Sequence, residues 1–177
     1  SPAYSVCDQL PWYNEASEVE YDPDETGRLL DEAGWIMGED GFREKDGVRA
    51  GFTLMYSAGD SVRQALSEDT ANQLRELGID VTVEGVGWDV AYDRAQSTPM
   101  MWGWGAHTPM EFYNIYHTAP GGEYAQYSPY SNKTVDAYMD AALASSDLEQ
   151  SYELWKLAQW DGETGVIQQG DIPWIWL

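Results

Sequence analysis

The chain has 177 residues, the length of one domain that can bury a real core without staples. Thirty-one Asp and Glu against nine Lys and Arg give a formal charge of −22, which repels a phosphate backbone or an anionic bilayer at long range and excludes nucleic acid as a natural partner. Cys7 is the only cysteine, which excludes an intrachain disulfide and a thiolate metal cluster, and no apolar run approaches the roughly 18 residues of a membrane helix.

Residues 1–20 hold Pro2, Pro11 and scattered polar residues without period, and read as an extended lead-in segment. The stretch YDPDETGRLLDEAGW, 21–35, predicts a short helix: Asp22 as N-cap, Pro23 where its missing N–H costs nothing, Thr26, Leu29, Leu30 and Ala33 on one face, and Gly34 as the left-handed stop. Asp40-Gly41 and Asp46-Gly47 are hairpin-type turns. Phe52, Leu54 and Tyr56 alternate as a strand. Asp60 or Ser61 caps a long helix with Val62, Ala65, Leu66, Leu74 and Leu77 at helical spacing, ended by Gly78. Ile79, Val81 and Val83 alternate as a second strand, a helix over about 86–96 follows, and MMWGWG reads as a third strand.

That order predicts crossover units on a largely parallel sheet, and so an α/β fold with flanking helices. Beyond it come a Gly-, Tyr- and Ser-rich loop, a helix capped at Ser131 or Asn132, and a helix opened by Ser146 and Glu149. Asp161-Gly162 and Thr164-Gly165 break that helix before IPWIWL, which reads as a closing apolar strand. The whole chain, 1–177, is taken as one domain.

Enzyme signatures are thin. There is no GxSxG, no phosphate-binding glycine loop and no HExxH. His107 and His117 are ten residues apart, which is no recognised metal spacing, so a hydrogen-bonded structural histidine is the expectation for each and no cofactor or metal is assigned. Trp35, Trp88, Trp155 and Trp174 fall at positions expected to pack in a core. Trp102 and Trp104 lie two apart and would share one strand face, with Gly103 and Gly105 allowing another backbone or a ligand to approach. Core packing and ligand contact are both open for this pair, because aromatic-lined clefts with few polar groups are typical of small-ligand sites at the carboxyl ends of parallel strands.

YDPDETGRLLDEAGW, DGFREKDGVRAGFTLMYS, LRELGIDVTVEGVGWD, GWG, YSPYSNKTVDAYMDAAL and DIPWIWL occur in that order, from about residue 11 to the end. Together they resemble the extracytoplasmic solute-binding proteins of peptide- and nickel-type ABC importers, family 5. The resemblance implies the carboxyl-side lobe of a two-lobed, class II periplasmic-binding-protein-like receptor, with 171–177 as an exit strand toward the hinge. It implies a monomer and a non-enzyme that binds a small ligand, most simply a peptide. The full-length protein would pass that ligand to an ABC permease and would be extracytoplasmic and lipid-anchored. It also implies that the chain is cut from something longer, given its start at SPAYS. In the peptide binders an aspartate three residues after the tryptophan pairs with the peptide ammonium; counting from Trp104, that position is His107. Glu111 then replaces the acid, or the ligand lacks a free amino terminus, or His107 contacts an anionic or metal-bearing group. The implied ligand wall is Trp102, Trp104, His107, Glu111 and Tyr113, although Trp102 and Tyr113 could equally face packed interiors. A fragment of an acidic extracellular carbohydrate-active hydrolase is the alternative from another class, and two converging carboxyls would mark it.

Overall fold

The computed structural model describes residues 4–105, 107–118, 122, 124, 127–128, 130–167 and 170–177. The loop read at 121–130 and Pro2 fall largely or wholly outside them. Contacts group the chain into two compact units, Tyr21–Gly103 and Ser1–Glu20 with Trp104–Leu177.

In the unit Tyr21–Gly103, helix α1 (Pro23–Glu32) starts where expected: the Asp22 carboxylate accepts the Glu25 N–H at 2.9 Å, and Gly34 leaves the helix at φ +87. Its predicted apolar face is not buried, and Leu29 stays 51 % exposed. What ties α1 down is a cation. Strands β1 (Ile36–Met37), β2 (Arg43–Lys45) and β3 (Val48–Arg49) form a small antiparallel sheet, and its second turn takes positive φ at both Asp46 and Gly47, as a tight hairpin turn requires. From β2 the Arg43 side chain, 7 % exposed, donates to the carbonyls of Leu77 (2.7 Å), Trp35 (2.6 Å) and Gly27 (3.4 Å) and pairs with Asp31. One guanidinium thus joins α1, the turn after it and the end of the following long helix.

Strands β4 (Gly51–Ser57) and β5 (Asp80–Val86) pair in parallel from Gly51↔Asp80 to Ser57↔Val86, connected by α2 (Ser61–Glu76). Successive strand residues point to opposite faces, so burial of both Leu54 and Met55 means that β4 is covered on both sides. Leu54 packs with Ala71, Val81 and Met101, and Met55 with Val86 and Ala91 on helix α3 (Trp88–Arg94). The buried side of α2 is Ser67 and Ala71, not Val62, Ala65 and Leu66. Val62 is 68 % exposed, because small side chains let the helix backbone approach the strands. The third strand shrinks to a single parallel bridge, Met55↔Met100, held by Met55 N–H to Pro99 O (2.9 Å) and Met101 N–H to Met55 O (2.7 Å). Pro99 has no N–H to extend the ladder. The architecture is therefore mixed α/β, with a parallel main sheet and a small antiparallel one.

In the other unit, residues 4–20 are not extended. They turn repeatedly, include a 3₁₀ turn (Glu15–Ser17), and insert Val6, Cys7 and Trp12 into a core with α4 (Pro109–Tyr116), α5 (Lys133–Ala144) and α6 (Leu148–Gln159). Aromatic edges knit that core: Trp12 to Phe112 (5.9 Å), Trp12 to Trp155 (6.0 Å) and Phe112 to Trp155 (5.8 Å). Asn132 caps α5, as expected. Asp147 rather than Ser146 caps α6 by accepting the Gln150 N–H at 2.8 Å. IPWIWL forms no strand: residues 171–177 are turn and irregular backbone.

Two solution properties follow. With 31 acids against nine bases, and six of the nine bases already in ion pairs with carboxylates, the surface repels itself. Shortening the Debye length from about 30 Å to about 3 Å, by going from 0.01 M to 1 M NaCl, is expected to raise the thermal midpoint; a midpoint independent of salt would contradict this. Asp161 accepts the N–H groups of Thr164 and Glu163 (2.8 Å each) and the Tyr138 hydroxyl (3.1 Å), and those donors, the Thr164 N–H foremost, hold its carboxyl below the ordinary range. Its contribution to stability is complete above the unfolded value near 3.8 and fades as pH falls through the lower folded value. Asp161→Asn should therefore flatten that acid limb in urea titrations over the same range.

Candidate functional site

The sequence-predicted residues fall in both units. Trp102, in the unit Tyr21–Gly103, is half-buried and off any strand. It meets Trp88 edge-to-face at 5.2 Å and Tyr92 at 6.1 Å, while Trp88 and Tyr92, one turn apart on α3, lie 5.7 Å from each other. Trp88 is 41 % exposed and Tyr92 46 % exposed. This corrects the expectation that Trp88 is core, and it adds Tyr92, which the sequence reading did not single out. The missed signal was the four-residue spacing of the two rings on a helix whose buried side is Ala91. A surface of three contiguous aromatic rings is unusual for side chains that normally find cover.

Trp104, His107, Glu111 and Tyr113 belong to the other unit, at and just before α4. With Trp102 in the cluster on α3, the two indoles do not share a strand face. Trp104 is half-buried among Tyr124 (5.7 Å), Trp174 (4.8 Å) and Trp176 (5.5 Å). Trp176 donates its Nε1–H to the Tyr116 hydroxyl at 2.8 Å, and burial pushes the Tyr116 phenol well above its usual range. Trp174 and Trp176, seventy residues away in sequence, are thus part of the Trp104 environment.

His107 is exposed, with Nδ1 3.0 Å from the Val6 carbonyl. A carbonyl only accepts, so Nδ1 carries a proton and Nε2 is the atom left to a ligand. Thr108 caps α4 through Oγ1 and the Glu111 N–H (3.2 Å), Pro109 occupies the first turn, and Glu111 stands in that turn half-exposed, where a carboxylate complements the helix dipole.

Tyr113 points a different way. Its ring stacks on His117 at 4.3 Å and 25°, and its hydroxyl lies 3.4 Å from Asp140 on α5; desolvation and that carboxylate raise its pKa. His117 in turn places Nδ1 2.9 Å from Thr118 O and Nε2 3.4 Å from Asp140. The group Tyr113, His117 and Asp140 joins α4 to α5. Trp104 and Tyr113 both pack on the core cluster around Phe112. Among the described residues, no three His, Cys, Asp or Glu stand together as a bound cation would need. Cys7, buried beside Ser5 and Gln159, has its thiol pushed up to about 12, chiefly by desolvation, and is no nucleophile.

The family model described as bacterial extracellular solute-binding proteins, family 5 middle, matches residues 1–126. Protein XP55 of Streptomyces lividans is 37 % identical over 140 residues, covering 77 % of this chain and 26 % of that protein. The oligopeptide-binding protein AppA of Bacillus subtilis is 30 % identical over 141 residues, covering 75 % of this chain and 26 % of its own. The chain thus spans about a quarter of the length of these relatives. The AppA structure, solved with a nonapeptide, superposes with a TM-score of 0.67 at 25 % identity over 88 % of this chain and 33 % of that one. NikA from Brucella suis, solved with Fe(III)-EDTA, gives 0.67 at 26 % identity over 84 % and 32 %. These neighbours have the class II periplasmic-binding-protein fold, and nothing among them supports the carbohydrate-hydrolase alternative. By the match over residues 1–126, this chain belongs to the family 5 bacterial extracellular solute-binding proteins.

Proposed function

We propose that this chain is the carboxyl-side lobe, over 1–177, of a monomeric solute receptor that captures peptides outside the cytoplasm and delivers them to an ABC permease. Family membership supports the extracytoplasmic setting and fits a binding rather than catalytic role; a lipid anchor on the full-length protein belongs to the proposal. Trp104 supplies apolar contact, His107 Nε2 a polar tip and Glu111 a carboxylate at the start of α4, with Tyr113 bracing that helix against α5. Trp102, with Trp88 and Tyr92, offers a second aromatic surface in its own unit.

The observation that supports the reading best is the exposed His107 three residues from a half-buried indole, in a chain whose relative AppA was solved holding a nonapeptide. A ring with a committed Nδ1 cannot supply a fixed negative charge, so Glu111 is left as the carboxylate for a peptide ammonium. Isothermal titration of the intact protein with a pool of di- to nonapeptides is expected to show saturable binding. Trp104→Ala is expected to weaken it by about 2 kcal/mol, roughly thirtyfold in Kd. Absence of binding by every peptide length would overturn the peptide reading, and an unchanged Kd in Trp104→Ala would remove that indole from the site.

A further inference from the structure

Helix α3 opens just beyond the main sheet. Trp88 stands two residues past the end of β5, and Trp102 two residues past Met100, which bridges β4 in parallel. Both indoles therefore lie beyond the carboxyl ends of parallel strands, where open α/β sheets take their ligands. With Tyr92 they form one aromatic surface: Trp102 meets Trp88 edge-to-face (5.2 Å, 76°), and Tyr92 is tilted against Trp88 (5.7 Å) and Trp102 (6.1 Å). Trp88 and Tyr92 are still more than two-fifths exposed after these contacts, so ring area remains open to solvent.

Carboxylates border that surface. Asp89 and Asp93 are one turn apart on α3 and both exposed, and Asp89 precedes Tyr92 by three residues, a spacing at which helix side chains are neighbours. Neither aspartate belongs to an ion pair among the described residues, and Arg94, the one base on α3, is already paired with Glu84 on β5 (2.9 Å). An indole face carries the negative part of the ring quadrupole and attracts a cation lying within about 6 Å of its centroid. Rings and aspartates thus favour the same sign of charge, in a chain whose formal charge of −22 already draws cations in. A metal ion needs converging hard ligands, and no three His, Cys, Asp or Glu stand together among the described residues. An ammonium or guanidinium on an alkyl stem needs no such cage: the stem covers indole surface and the charge stays beside the carboxylates.

We propose that Trp88, Tyr92 and Trp102, bordered by Asp89 and Asp93, form a subsite for an organic cation that selects peptides carrying a lysine or arginine side chain. The inference rests on the peptide reading and narrows it to basic peptides. A free alkylammonium ion presents the same chemistry from a second source.

The test titrates the intact protein with two di- to nonapeptide pools that differ only in lysine against neutral norleucine. The lysine pool is expected to bind about tenfold more tightly, and that ratio to fall to about one in Trp88→Leu and in the double variant Asp89→Asn with Asp93→Asn. All three side chains are exposed, so the variants are expected to fold. A merely structural role would weaken both pools together and keep their ratio, and that result overturns the subsite. In parallel, fluorine NMR of the 5-fluorotryptophan-labelled protein follows the Trp88 signal, assigned by its loss in Trp88→Leu, during titration with tetramethylammonium chloride against sodium chloride at equal ionic strength. A lysine preference without a saturable tetramethylammonium shift assigns the subsite to peptide side chains. The shift without binding of either pool assigns it to a free alkylammonium ion and overturns the peptide reading alone. Neither a preference nor a shift overturns the subsite.

Discussion

Replacing Arg43 by methionine is expected to cost about 3–5 kcal/mol of folding free energy. The guanidinium is almost fully buried and donates to three backbone carbonyls, those of Leu77, Trp35 and Gly27, as well as pairing with Asp31. Methionine fills much of the volume, so the loss reads the hydrogen bonds rather than a cavity. The Trp35 and Leu77 carbonyls left behind lie in the exit turn of α1 and at the end of α2, and each acceptor deprived of its donor costs about 1–3 kcal/mol, whereas the Gly27 carbonyl lies inside α1 and keeps its helical donor. Asp31 is 62 % exposed, so its part of the pair is screened and contributes little. Urea unfolding of Arg43→Met and Asp31→Asn separates the two: a large loss in the first and a shift within about 1 kcal/mol in the second. Equal losses would place the stabilisation in the ion pair instead.

Gln159→Leu is expected to cost about 2–4 kcal/mol by the same logic in the other unit. The Gln159 amide, fully buried at the end of α6, donates to Trp12 O (2.7 Å) and Trp155 O (3.0 Å) and accepts from Asn14 N–H (3.0 Å) and Cys7 Sγ (3.1 Å). This one side chain therefore holds residues 7–14 against α6. Leucine keeps the bulk and leaves the Asn14 donor and the Trp12 acceptor unmatched. The variant should lose near-UV circular dichroism from the Trp12, Phe112 and Trp155 cluster before α5 and α6 lose helicity. Retention of that signal up to the global transition would show that the amide is dispensable.

The contrast between these two residues explains what could be read from the sequence. Short-range chemistry was legible: Asp22, Asp60 and Asn132 cap helices by accepting N–H groups two or three residues on, and Gly34, Gly47 and Gly78 take the positive φ that only glycine adopts freely. The parallel pairing of β4 with β5 was legible from their alternation and the helix between them. Arg43 and Gln159 were not, because their roles depend on partners 34 and 147 residues away. Nor was the buried side of α2, where closeness to the strands selects Ser67 and Ala71 over larger apolar residues. Residues 4–20 lack a period because they pack by turns and single insertions, which periodicity does not register.

At the candidate site, the helix after Pro109 could be placed from that proline, although the strand read across Trp102 and Trp104 did not form. The indoles that surround Trp104 could not, since Trp174 and Trp176 arrive from the far end of the chain with no local sign of their destination. Trp88 was misplaced because its four-residue spacing to Tyr92 on a helix whose buried side is Ala91 was overlooked.

Native mass spectrometry of the intact receptor, purified without denaturation, addresses the central claim most directly. Complexes carrying a distribution of peptide masses, released on mild activation and much reduced in Trp104→Ala, are the expected result. A receptor that carries no peptide and takes none up from the di- to nonapeptide pool would contradict the account.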